Sequence, residues 1–147
     1  VFAKFMAGFT LVVISLLPTL FYVYVVYQLG NPKGNLDWGG LGGSYLGLLL
    51  LASVFLACGI FSSTFSEQQI TSFLLALLIC FFLYNGFDII AQSGFFGAAD
   101  SVIKKMGISE HYESISRGVV DFRDLIYFFS VSALFLILTA QRLRLKR

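Results

Sequence analysis

The chain has 147 residues, of which 58% are hydrophobic and only 12% are charged. A soluble domain is nearer half apolar and a quarter charged, so this composition excludes an ordinary soluble fold and predicts a polytopic membrane protein. The formal net charge is +2, and the cations form no basic patch interleaved with aromatic residues, which argues against nucleic acid as a partner.

The first predicted span covers residues 5–27, which contain no charge and end in tyrosines typical of a membrane interface. The run is too long for a signal-peptide core. Pro18 lies in its middle and predicts a kink, with Ser15 and Thr19 placed to satisfy the carbonyls that the proline frees. The kink could act as a hinge, although a static bend is the more ordinary result of such a proline.

A glycine-rich stretch follows at residues 28–43, and we predict a flexible loop there because Asn31 and Pro32 also give a turn signal. No Walker lysine follows these glycines, which argues against a phosphate cradle. A second span is predicted at 44–65 and a third at 67–87, with Ser66 and Gln69 as a capping box between them.

Small residues recur along one face of the third span, at Ser72, Ala76 and Cys80. Small residues at this spacing let helices approach closely in lipid. Packing within the chain and a contact between subunits are equally good interpretations. Cys58 and Cys80 both lie in apolar runs, which predicts helix packing and argues against a disulfide, redox or metal site.

A structured loop is predicted at residues 88–121, with two short amphipathic segments. The first, at 94–107, has an apolar face formed by Phe95, Phe96, Val102, Ile103 and Met106. In the second, apolar residues recur at helical spacing at Ile108, Tyr112, Ile115 and Val119. Ser109 can cap this helix and Gly118 can end it. We expect the helix to lie at the outer membrane surface.

The candidate functional residues lie around this loop, at Asn85, Asp88, His111, Glu113 and Arg117. Asn85 and Asp88 close the third span. Polar residues within a membrane are most often functional, but these two lie at the very end of the span, where water reaches, so an ordinary structural role is favoured for them. His111 and Glu113 are expected off the apolar face of their helix, and Glu113 has the favourable spacing for an ion pair with Arg117. A structural or gating role at an outer mouth and a plain solvated face are equally good interpretations.

The last span is predicted at 122–140, with Asp121 as its N-cap and Asp124 in its first turn. Four cations follow in residues 141–147. Such a cluster usually stays in the cytoplasm, which predicts a cytoplasmic C-terminus, Arg147 inside and Lys104 outside. A count of all the cations does not decide the orientation, because we place five on each side.

A longer stretch resembles a known family. Residues 111–128, HYESISRGVVDFRDLIYF, and 81–88, FFLYNGFD, are similar to ABC-transporter type-2 permeases, and the gliding-motility (GldF-like) branch is the nearest match. The resemblance covers residues 15–139 and corresponds to the last four of six spans. It implies that the first two spans and a cytoplasmic coupling helix are missing. It also implies the bacterial inner membrane, a second permease copy and a separate ATP-binding cassette subunit as partners, and short outer helices near the exit of the transport path.

Other function classes are weighed against this permease interpretation. An intramembrane enzyme would need His111 with Glu113, or Ser44 after Gly43, and neither pair completes a catalytic constellation. His111 is the single histidine, so a metal site with several histidine ligands is excluded. We therefore expect no enzyme activity, no cofactor and no metal in this chain. A non-transporting membrane scaffold remains the alternative function.

Overall fold

The structure is a computed structural model that describes residues 1–94 and 97–145. The helices of this part are α1 (Phe2–Leu16), α2 (Thr19–Leu29), α3 (Trp38–Ser62), α4 (Gln69–Phe81), α5 (Phe87–Gln92), α6 (Asp100–Lys105), α7 (Ile108–Ser116) and α8 (Phe122–Leu145). A π-helical segment, Phe82–Gly86, joins α4 to α5, and a 3₁₀ turn, Gly97–Ala99, precedes α6.

The described residues contain four helical stretches that are long and apolar enough to cross a membrane: Phe2–Leu29, Trp38–Ser62, Gln69–Gln92 and Phe122–Leu145. Each is longer than the minimum of about 17 residues needed to cross the hydrocarbon core. The predicted all-α membrane bundle with short amphipathic helices before its last span is therefore confirmed.

The central helix is α3, which packs against α1, α4, α7 and α8. It runs in the same direction as α8: the hydroxyls of Ser53 and Ser132 lie 3.1 Å apart, and further along the rings of Phe61 and Phe135 meet at 5.6 Å. The small core lies on this helix pair, where Val54, Cys58 and Phe128 are completely buried. By contrast, α1, α2 and α4 contain no buried residue.

The bundle has two ends, which we name by their contents. The loop end holds the connection 30–37 and residues 93–94 and 97–121, and the tail end holds the turn 63–68 and the end of α8 at Leu145. Because α1, α2 and α4 run opposite to α3 and α8, every span joins the loop end to the tail end. This is the arrangement that four sequential spans require.

The predicted break at Pro18 is confirmed, because α1 ends at Leu16 and α2 begins at Thr19. The hydroxyl of Ser15 donates to the Leu11 carbonyl, and that of Thr19 donates to the Leu16 carbonyl. The two hydroxyls thus satisfy backbone carbonyls beside the interrupted turn, as expected for a proline in a span. Thr19 also meets the hydroxyl of Tyr45 on α3 at 2.6 Å.

The loop predicted at 28–43 extends further toward the C-terminus than the loop in the structure. Helix α3 already begins at Trp38, because the carboxylate of Asp37 caps it by accepting the backbone N–H of Gly40 at 3.1 Å. The second span therefore covers 38–62, where the sequence predicted 44–65. Glycine is unfavourable within a helix. Here, however, the absence of side chains lets α7 pack closely against α3.

The third span begins at Gln69 and extends to Gln92, where the sequence predicted 67–87. Ser66 does not close a capping box, because its hydroxyl accepts from the backbone N–H of Gln68 in the turn before the helix. The π-helical segment lies where the ring of Phe82 packs over the buried Gly86. Such segments are single wide turns and are frequent at functional sites.

The last span also extends beyond its predicted end at residue 140, since α8 continues to Leu145. Its start at Phe122, directly after Asp121, agrees with the prediction. In the first amphipathic segment, Val102 and Met106 are exposed and Ile103 is half-buried, while Phe95 and Phe96 lie outside the described residues. Arg147, for which we predict a cytoplasmic position, also lies outside them.

Candidate functional site

A polar cluster at the loop end brings together side chains from α5, α7 and α8. At its centre the carboxylate of Asp124, in the first turn of α8, accepts a hydrogen bond from Nδ1 of His111 on α7 at 2.6 Å. Both residues are buried, with exposed fractions of 3% and 7%. A hydrogen bond between two such groups away from water ties α7 to α8 and is costly to break.

The imidazole of His111 is also fixed by Tyr127, one turn after Asp124 on α8. The two rings stack with centroids 4.1 Å apart and planes 23° apart. The hydroxyl of Tyr127 donates to the backbone carbonyl of Met106 at 2.6 Å, in the connection between α6 and α7. Tyr127 therefore joins the histidine and the preceding connection to the last span.

A second carboxylate extends this cluster to the third span. Asp88 on α5 accepts a hydrogen bond from the hydroxyl of Ser109 on α7 through its Oδ2, while its Oδ1 is buried without a partner among the described residues. The sequence predicted Asp88 at the end of a span, where water reaches, and the structure leaves the residue half-buried, with Oδ1 shielded from solvent and Oδ2 bonded to α7. Ser109, expected to cap α7, makes a link between α5 and α7. We name His111, Asp124, Tyr127, Asp88 and Ser109 the loop-end polar cluster.

The apolar face of α7 packs on α3, while the predicted position of this helix at the outer membrane surface stays a prediction. Ile108 and Ile115 are completely buried. A side-chain carbon at Gly47 would come within 3.2 Å of Ile115, and one at Gly43 would clash with the Ile115 carbonyl and lie 2.7 Å from the Gly118 backbone. These two glycines of α3 therefore form the surface against which α7 packs.

The end of α7 makes backbone contacts with the start of α3. Gly118 has φ +87°, a left-handed conformation that confirms its predicted role at the helix end. A side-chain carbon at Gly118 would lie 2.9 Å from the backbone of Gly39. The hydroxyl of Ser44 donates to the carbonyl of Ser116 at 3.1 Å, which adds a polar link across this contact.

The predicted outer-mouth residues divide into two groups. Asp88 and His111 belong to the loop-end polar cluster, and His111 is buried, so the prediction that His111 avoids the inner face of its helix is wrong. Glu113 and Arg117 are exposed and form the predicted ion pair at 3.3 Å. Asn85 lies in the π-helical segment and lines a cleft with Tyr84 and Cys80 on the side of α4. Since Glu113 and Arg117 face away from the cluster, the five residues do not form one site.

The predicted small-residue stripe of the third span is half-buried at each of Ser72, Ala76 and Cys80. Cys80 packs against the core cluster that contains Cys58. Ser72 donates to the carbonyl of Ser66 in the turn before α4. These contacts favour packing within the chain for this stripe.

The hydrogen bonds of the cluster indicate a structural chemistry. His111 is engaged through Nδ1 with Asp124, Ser109 donates to Asp88, and Ser44 donates to backbone carbonyls. Within residues 1–94 and 97–145, no group of three or more histidine, cysteine or acidic side chains could hold a metal ion. The cluster fixes α7 between α5 and α8.

Sequence analysis missed Tyr127 and placed Asp124 only as a helix-terminal charge. One signal was present: Ile108, His111 and Ile115 recur at helical spacing, which puts the histidine on the inward face of α7. An inward histidine needs a hydrogen-bond partner. The carboxylate of Asp124 faces it across a short turn.

Comparisons with protein-family models, with curated proteins and with solved structures found no match to this chain.

Proposed function

We propose that this chain is the membrane-spanning permease subunit of an ABC-type exporter in a bacterial inner membrane, of the gliding-motility branch. It would work as a pair with a second permease and draw energy from a separate ATP-binding subunit. Its C-terminus would lie in the cytoplasm, and the loop end would face outward.

The observation that carries the proposal is the position of the stretch that resembles type-2 permeases. Residues 111–128 contain both partners of the His111–Asp124 bond, the buried Ile115 and Phe128, and the left-handed Gly118. The resemblance thus falls on the residues that make the α7–α8 junction, where a family likeness has a physical reason to persist. A chance likeness would have no reason to coincide with this junction.

Two further features support a subunit of a larger assembly. Helices α1, α2 and α4 contain no buried residue, so their faces that point away from α3 are available to other helices or to lipid. The sequence contains no GxxxxGK[ST] motif, so the energy for transport would come from another polypeptide.

The direct test is purification of the tagged chain from native membranes in a mild detergent. We expect a polypeptide with a Walker A motif to co-purify, together with ATP hydrolysis that is lost when the Walker lysine of that polypeptide is replaced. A tagged membrane protein of similar size from the same cells is the control. Purification of the chain without any ATP-binding polypeptide would contradict the proposal.

A second arm separates transport from scaffolding. If the chain is a permease, replacing the Walker lysine of the partner abolishes the cellular function of the complex while the complex still assembles. If the chain is a scaffold, that function survives the change. In the reconstituted complex, Glu113→Gln should leave ATP hydrolysis intact, because Glu113 lies at the loop end, away from the proposed cytoplasmic side.

A further inference from the structure

Arg142, in the last turn of α8, has its guanidinium fixed at the tail end of the bundle. Its central carbon Cζ lies 3.7 Å from the ring centroid of Phe65, in the turn after α3. The ring of Phe65 is itself supported edge-on by Phe61, with 5.0 Å between centroids. An arginine this close to an aromatic face is attracted to it, so its direction is defined before any ligand arrives.

The guanidinium of Arg142 has no counter-charge among residues 1–94 and 97–145. Its Nε is buried and makes no hydrogen bond, and none of the ion pairs found in this part of the chain includes it. A guanidinium has five N–H donors in a planar fork that matches the oxygens of a phosphate. Arg142 is thus an oriented donor group that lacks an acceptor.

The surroundings of Arg142 are strongly positive. Lys4 and Arg144 lie at the same end of the bundle, and the sequence adds two further cations at 146 and 147. Glu67 is the single acidic residue in the turn between α3 and α4 and in residues 139–147 together. The tail end therefore attracts anions at the level of one membrane surface.

The apolar neighbours of Arg142 favour a lipid over a free anion. Leu134, Leu138 and Arg142 recur at i, i+4 and i+8 and thus follow one stripe of α8, with both leucines on the membrane side of the guanidinium. The two leucines are exposed, at 54% and 38%. An acyl chain can lie along this stripe while its phosphate reaches the guanidinium, and a free phosphate would make no use of the leucines.

We propose that the tail end binds the headgroup of an anionic phospholipid, with Arg142 on Phe65 as the phosphate ligand and the leucine stripe of α8 against the acyl chains. This site has a defined geometry and differs from the diffuse attraction of a basic tail, because one of its cations is held against a ring.

The test uses the whole chain in phosphatidylcholine vesicles that contain a spin-labelled lipid, either phosphatidylglycerol or phosphatidylcholine. The measured quantity is the association constant of the anionic label relative to the zwitterionic one. Arg142→Gln should lower this ratio about fivefold. The matched control is Arg144→Gln, which removes the same charge from an exposed side chain two residues away and should lower the ratio about twofold or less.

Two further variants guard against a folding defect. Phe65→Leu keeps every charge and removes the ring, and should lower the ratio toward that of Arg142→Gln. Arg142→Lys keeps the charge and loses the planar fork, and should fall between the wild-type chain and Arg142→Gln. Helical circular dichroism should stay unchanged in both.

Three outcomes would overturn the proposal. Equal losses for Arg142→Gln and Arg144→Gln would mean a diffuse basic tail, and no loss in either would mean no anion site. The third outcome uses inorganic phosphate as the probe. If phosphate binds to the lipid-free protein in detergent, if this binding depends on Arg142, and if the protein shows no preference for phosphatidylglycerol in vesicles, the site binds free phosphate and not a lipid.

Discussion

His111 is the residue of α7 whose side chain makes two specific contacts with α8. Its Nδ1 is bonded to Asp124 and its ring is stacked on Tyr127, both in the first turns of the last span. A buried pair of this kind gives little net stability over an apolar pair of the same shape, but loss of one partner leaves the other buried and unpaired. The histidine therefore specifies how α7 meets α8.

We expect His111→Ala to destabilise the detergent-solubilised protein by about 3–5 kcal/mol, because it leaves the Asp124 carboxylate buried without its partner. The measurement is the fraction of monodisperse protein after denaturant or heat treatment. Glu113→Gln, on the exposed face of the same helix, is the matched control and should change the free energy of unfolding by less than about 0.5 kcal/mol.

A double-mutant cycle makes this prediction specific to the pair. The variant with both His111→Ala and Asp124→Ala should cost less than the sum of the two single changes, by about 0.5–3 kcal/mol. Additive effects within error would mean that the two side chains do not act through each other.

Gly118 gives a second prediction for one residue. Gly118→Val should lower the yield of assembled protein, since a β-branched residue is strained at φ +87° and its side chain would meet the Gly39 backbone. Ser114→Ala, on the same short helix, should be within about 0.5 kcal/mol of the wild-type chain. Equal yields of the two variants would contradict the left-handed turn.

Among the elements, α3 shows which structural features can be predicted from sequence patterns and which cannot. The apolar runs predict all four spans, because burial in lipid needs long runs without charge and few other constraints. They do not predict that α3 begins within the glycine-rich stretch. Glycine lowers helix propensity and usually signals a loop, whereas here Gly43 and Gly47 provide space for a helix that lies some 70 residues away in the chain.

The same limit applies to the loop-end polar cluster. Its members come from α5, α7 and α8, and periodicity within one helix cannot show which carboxylate faces which hydroxyl. The sequence identified Asp88 and His111 as unusual, and predicted the exposed pair of Glu113 and Arg117. It did not predict which pairs lie inside, because burial depends on the docking of whole helices.

Adjacent glycines of α3 test this docking. Gly43→Ala should separate α7 from α3, because the added methyl would meet the Ile115 carbonyl and the Gly118 backbone, neither of which can move alone. Gly42→Ala is the matched control: nothing lies within 4 Å of the added carbon, and alanine favours a helix by about 1 kcal/mol over glycine.

Thermal unfolding of the two variants in detergent gives the comparison. We expect a lower midpoint for Gly43→Ala and an unchanged or higher one for Gly42→Ala. The opposite order would show that α7 does not lie on this face of α3.

For the whole molecule, each of the four candidate spans joins the loop end to the tail end, so the two ends lie on opposite sides of the membrane. The link between the two ends is direct: α8 begins at the loop-end polar cluster and ends at the proposed lipid site around Arg142. A packed helix moves as a unit, so a change in tilt at one end displaces the other. In the proposed transporter, α8 would thus connect the outer helices to the membrane surface that faces the ATP-binding subunit.

The last prediction concerns which end of the bundle faces the cytoplasm. Cation clusters beside a span usually stay in the cytoplasm, so the basic tail predicts that the tail end is cytoplasmic and the loop end is outside. In a background without Cys58 and Cys80, single cysteines replace Lys33 and Lys104 at the loop end, and Glu67 and Arg144 at the tail end, all of them exposed. An impermeant maleimide should label the first pair in intact cells and the second pair only after permeabilisation. Labelling of the tail-end pair from outside would reverse the orientation, and different labelling within either pair would contradict the four crossings themselves.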